Sequence, residues 1–111
     1  MEFMNKFEAV LLLSPELSNS SRSDSLKEFE NLLKQNKGKI LNKEDWGLRD
    51  LSYNIKNFSK SFYNFYQIEI EGQKIESIKK NLNQKENFIR YLFIKVDNHQ
   101  ELPTKLNNEK K

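Results

Sequence analysis

The side chains best suited to chemistry in this sequence are cations and aromatic rings. Sixteen lysines and three arginines, Arg22, Arg49 and Arg90, stand against sixteen carboxylates, a formal net charge of +3. A guanidinium presents a planar fork of donors that matches carboxylates and phosphates, and a lysine ammonium cannot copy it. Where lysine dominates so heavily, the three arginines are the more informative basic residues. Eight phenylalanines, four tyrosines and one tryptophan supply rings that can build a core, stack on bases or cover a partner protein. Such residues bind anionic polymers or proteins, and net charge alone is a weak warrant for choosing between them.

Catalytic equipment is sparse by comparison. Without cysteine there is no disulfide framework, thiol nucleophile or thiolate metal site. A single histidine, His99, excludes any centre needing two imidazoles, and its polar surroundings mark it as solvated. Glu69 and Glu71 sit two apart on one strand face near its end, which reads as a solvated pair rather than an acid–base pair. Gly38, Gly47 and Gly72 are too scattered to form a glycine-rich phosphate cradle. No enzyme activity, metal, cofactor or small-molecule substrate is therefore expected. The longest unbroken apolar run, Ala9–Leu13, is five residues, far short of a membrane span. With Glu2 beside Lys6 and no long apolar stretch near the start, no signal peptide is indicated, and a cytoplasmic protein is expected.

The positive charge is uneven. Residues 1–48 carry net −1, residues 49–95 net +4, and the remainder balances. The elements that must position these charges follow from hydrophobic spacing. Lys6–Leu13 is a short apolar run closed by Ser14-Pro15 and reads as a strand. Leu26, Phe29 and Leu33 share helical spacing within a helix from about Ser20 to Asn36, with Gly38 placed as its left-handed C-terminal cap. Lys39–Trp46 and Leu48–Ile55 form one strand interrupted at Gly47, where a bulge or a close backbone approach is expected. Lys56–Ser61 is polar and reads as a hairpin loop, followed by a strand over Phe62–Ile70. Ile75, Ile78 and Leu82 mark a second helix over Gln73–Asn83, and Asn87–Val96 is the last strand.

The order β-α-β-β-α-β is the split βαβ arrangement, an α+β ferredoxin-like sandwich with two helices on one face of a four-stranded antiparallel sheet. The domain is expected over residues 4–96, with residues 1–3 an extension and residues 97–111 a polar, mobile tail containing Pro103. In this topology one sheet face is core and the other open, so strands should alternate apolar and polar. Several strands are apolar on both faces: Val10 and Leu12 oppose Ala9, Leu11 and Leu13, and Tyr63 and Phe65 oppose Tyr66 and Ile68. In the last strand, Tyr91 and Phe93 oppose Leu92 and Ile94. An exposed aromatic and aliphatic patch marks an interaction site. It could take a protein partner, stack bases, or be covered by a tail or loop of the chain itself. The Lys/Arg-Gly-aromatic pattern of RNA-recognition motifs is absent, which weighs against base stacking.

Residues 47–56, Gly-Leu-Arg-Asp-Leu-Ser-Tyr-Asn-Ile-Lys, resemble the signature of the bacterial small-subunit ribosomal protein S6 family: Gly, any residue, a basic residue, a polar residue, Leu, Ser or Ala, Tyr, any residue, Ile. Phe7-Glu8, Ser14-Pro15-Glu16-Leu17, Gly38 and Asn87-Phe88-Ile89-Arg90 also resemble the family's pattern. Asn54 stands where the family often has Pro, and Asn5 follows Met4 where it often has Arg. The resemblance implies a non-enzymatic constituent of the small ribosomal subunit. It would bind the central domain of 16S rRNA as a heterodimer with ribosomal protein S18. On that reading Arg49, Arg90, Lys56, Lys60 and Lys6 are the expected RNA contacts, acting as phosphate positioners. Val10, Leu12, Tyr53, Tyr63, Phe65, Tyr91 and Phe93 are the expected partner surface. The rival reading is a ferredoxin-like protein-interaction module with no RNA role.

Overall fold

A computed structural model describes residues 4–98. Residues 1–3, His99 and the rest of the C-terminal stretch lie outside the described residues. The elements run β1 (Asn5–Leu13), α1 (Asn19–Gln35), β2 (Lys39–Ile55), β3 (Phe58–Ile70), a short 3-10 turn at Gly72–Lys74, α2 (Ile75–Asn83) and β4 (Phe88–Val96). The sheet is antiparallel in the order β2-β3-β1-β4, which leaves β2 and β4 as its edges. The expected ferredoxin-like α+β architecture is what the chain adopts.

Each helix forms for local reasons. Ser18 accepts a hydrogen bond from the Ser21 amide at 3.1 Å and caps the start of α1, satisfying a donor that the first turn leaves unpaired. Phe29 and Leu33, four apart, are fully buried beneath it. At its other end Lys37, with φ of 62°, takes the left-handed position, and the Gly38 amide donates to the Leu33 carbonyl at 2.7 Å. Gly38 is thus not the left-handed cap that its position suggests. It sits in a tight place instead, where a Cβ would lie 3.1 Å from Ile70 Cδ1 and 3.2 Å from the Leu33 oxygen. In α2, Ile75, Ile78 and Leu82 face inward together. They pack with Ala9, Leu11, Leu13, Phe29, Leu33, Tyr66, Ile68 and Ile70 into one core between helices and sheet.

The β2–β3 hairpin departs from expectation. Only Lys56 and Asn57 form the turn, both with positive φ (51° and 70°), the paired left-handed geometry that matches the twist of hairpin strands. Phe58–Ser61, expected as loop, is therefore already strand. The register of β2 on β3 shifts in three places: between Ile40 and Asn42, between Asp45 and Gly47, and between Asp50 and Ile55. Gly47, with φ of 79°, makes the second shift affordable in a strand, as its interruption of the pattern suggests.

Candidate nucleic-acid and partner interface

The open face of the sheet is built around Trp46. The register shift beside Gly47 turns this ring onto β3, where it stacks on Phe65 (5.3 Å between centroids, 12° between planes) and on Tyr63 (6.3 Å, 22°). Its indole N–H donates to Glu44 Oε1 at 2.8 Å, so its polar atom is satisfied although the residue is only 5% exposed. Phe65 beneath it is buried, and so is Leu12 on β1. The Tyr63–Phe65 part of the surplus apolar face is thus covered by the chain's own bulge. Trp46 carried no expectation of a role, because a bulge residue leaves no periodic trace in the sequence.

The uncovered part lies on β4. A second bulge, where Leu13 pairs with Phe88 but Leu12 pairs with Arg90, makes Ile89 the extra residue and reverses the alternation beyond it. Tyr91 and Phe93, expected on the open face, consequently pair with Leu11 and Ala9 and turn toward the helices. There Phe93 approaches Phe29 (6.3 Å) and the Tyr91 hydroxyl donates to Asn83 Oδ1 (2.8 Å). Their places on the open face are taken by Leu92 and Ile94, which are 53% and 48% exposed beside half-buried Val10 and Val96. Toward the far end of β1 the face becomes polar: Asn42 donates to Gln67, and Gln67 donates to Glu8, both at 3.2 Å.

Four of the five expected RNA-contacting cations gather at one end. Arg90 sits on the open face opposite Leu12, and Arg49, Lys56 and Lys60 lie on the projecting β2–β3 arm. Arg90 Nη1 donates to the Tyr53 hydroxyl at 3.0 Å, a bond from one sheet edge to the other, while Tyr53 itself is 63% exposed. Arg49 is partly buried. Its Nε donates to the Trp46 carbonyl at 3.2 Å, its guanidinium lies 5.3 Å from the Trp46 ring, and its buried Nη2 has no partner among the described residues. Lys60 faces Asp50 at 3.8 Å, a loose surface pair that leaves it available. Lys6 stands apart: six residues along β1 from Leu12, it is about 20 Å from that end. Arg22, with no role assigned from sequence, lies 3.9 Å over the Phe62 ring.

Elsewhere an open pocket of about 410 Å³ separates α1 from β2 and is lined by Glu30, Lys43, Asp45, Asn64 and Tyr66 among others. Its groups are tied to one another, with Glu30 accepting from both Lys43 (3.0 Å) and the Tyr66 hydroxyl (2.9 Å). Burial foremost, and then the Glu30 carboxylate, push the Tyr66 phenol far above its ordinary pKa, so it stays protonated. No cluster of three or more potential metal ligands and no helix able to cross a membrane occur among the described residues.

Residues 6–95 match the family model described as Ribosomal protein S6. Among similar proteins is the small ribosomal subunit protein bS6 of Christiangramia forsetii, 34% identical over 96 residues, with 86% of each chain covered. The protein of the same name from Porphyromonas gingivalis is 35% identical over 94 residues, covering 85% of this chain and 80% of that one. Among solved structures, 30S ribosomal protein S6 of Thermotoga maritima superposes with a TM-score of 0.80 at 20% identity, covering 85% and 89% of the two chains. That last likeness speaks for the fold.

Proposed function

The chain belongs to the ribosomal protein S6 family, and from that premise we infer that it binds the central domain of 16S rRNA as a heterodimer with ribosomal protein S18. Its role is that of a structural protein of the small ribosomal subunit, not of an enzyme. One observation supports the shared site: the uncovered apolar strip of Leu92 and Ile94 is on the same strand and face as Arg90, which is hydrogen-bonded to the basic arm. A partner seated on the strip would border the RNA contacts directly. In this reading Arg49, Lys56, Lys60 and Arg90 position phosphates, Lys6 acts as an outlying contact, and Val10, Tyr63, Leu92 and Ile94 meet the partner. Leu12 and Phe65 support that surface from below, being buried already. The domain that carries this function is residues 4–96.

The test is binding of the full chain to a central-domain 16S rRNA fragment across a salt series, with and without S18. Tight binding that requires S18 and weakens with salt is expected. Tight binding without S18 would contradict the shared interface, and no binding even with S18 would overturn the reading.

A further inference from the structure

We propose that Tyr53 is a positioning residue whose hydroxyl holds the Arg90 guanidinium and locks the basic arm at a fixed distance from β4, making Tyr53 and Arg90 one phosphate-binding unit. This rests on the RNA-binding reading above and concerns how that site is assembled. Between the pairs Asp50↔Lys60 and Ile55↔Phe58, four residues of β2 face a single residue of β3. Such an excess bends a strand sharply and re-aims its side chains. Tyr53 lies within it, and although β2 and β4 are opposite edges of the sheet, its hydroxyl reaches Arg90 on β4 at 3.0 Å. The bond is made between exposed groups, where core packing does not require it. In it the tyrosine oxygen accepts, so among the described residues its own O–H remains to donate, and four of the five guanidinium N–H donors remain as well. Both sets of donors lie together on the exposed surface, as binding an anionic phosphate requires. Because Arg49, Lys56 and Lys60 ride on the same arm, the contact also fixes the spacing between the two halves of the basic site.

Two measurements test this. In the free protein, rotation about the Arg90 guanidinium Cζ–Nε bond, read by nitrogen-15 NMR, should be slow and should accelerate in Tyr53→Phe; an unchanged rate overturns the proposal. With S18 present, Tyr53→Phe should weaken binding of the rRNA fragment about three- to tenfold, the scale of one hydrogen bond, without changing the salt slope. Arg90→Ala should weaken it and also lower the slope by about 0.7–0.9. The double variant should bind within about twofold of Arg90→Ala alone, since coupled residues do not add. Fully additive losses would refute the unit while leaving the RNA reading intact. Unchanged affinity and slope in Arg90→Ala, with normal S18 binding, would remove Arg90 from the RNA site and the proposal with it.

Discussion

Replacing Trp46 with alanine tests whether the open face has a core of its own. The ring is 5% exposed, stacks on two aromatic neighbours and carries the partly buried Arg49 against it. Truncating a buried tryptophan costs about 3–5 kcal/mol in an ordinary core. The lower end applies here, because the void opens toward solvent and Tyr63 and Arg49 can settle into it, so a loss of about 3 kcal/mol is expected. With a urea dependence of about 1.5 kcal/mol per molar for a domain of this size, the midpoint should fall by about 2 M. Circular dichroism is the suitable probe, since Trp46 is the only tryptophan and the tryptophan emission would vanish with it. Trp46→Phe keeps most of the stack and loses the bond to Glu44, so it should lose about 1 kcal/mol. A loss under about 1 kcal/mol in Trp46→Ala would mean that the bulge merely rests on the sheet, and the division of that face into covered and uncovered parts would be wrong.

Charging the uncovered strip with Leu92→Lys and Ile94→Lys should weaken S18 binding more than tenfold, because a hydrophobic contact would then bury unpaired charge, while the urea midpoint stays within about 0.5 M. Titration of the pair by calorimetry reads the first and denaturation the second. The raised pKa of Tyr66 makes a stabilising contribution that is complete below the unfolded tyrosine value of about 10 and is lost as pH rises above it, since only the unfolded chain then gives up the proton. The fall in urea midpoint between pH 9 and pH 11 should therefore be smaller in Tyr66→Phe than in the parent. Gly38→Ala forces a methyl group to within 3.1 Å of Ile70 and should lower stability by about 1 kcal/mol in the same assay, despite alanine's better backbone propensity.

The element order was legible because the apolar run of β1 and the helical spacing of Leu26, Phe29 and Leu33 each answer to one period. Arg49 and Lys56 stand out in the sequence because they lie on a specific pattern, and both are on the β2–β3 arm. What stayed hidden has a common physical origin in bulges. One inserted residue at Ile89 exchanged the faces of everything after it, so Tyr91 and Phe93 went to the helices and Leu92 and Ile94 to the open side. Another placed Trp46 over Phe65, turning an expected partner contact into interior. A bulge shifts pairing between strands, and pairing partners are not written in the composition of either strand alone. The hairpin turn was overestimated for a different reason. Polar residues such as Ser59 and Lys60 look like loop, yet two left-handed residues suffice to reverse the chain, and the rest is strand, with Ser59 and Lys60 exposed and Ser61 buried.

The position of β1 in the middle of the sheet has a kinetic consequence. The strand that holds the longest unbroken apolar run, Ala9–Leu13, emerges first during synthesis, but both of its neighbours, β3 and β4, are made later. At about 5–20 residues per second, roughly 4–17 s separate the completion of Leu13 from that of Val96. During that interval α1 and the β2–β3 hairpin can form from local contacts, while one side of β1 has nothing to pair with. Closure of the sheet therefore waits on contacts between residues far apart in sequence, the slow kind. The nascent chain carries Ala9–Leu13 as an aggregation-prone segment until its last strand arrives.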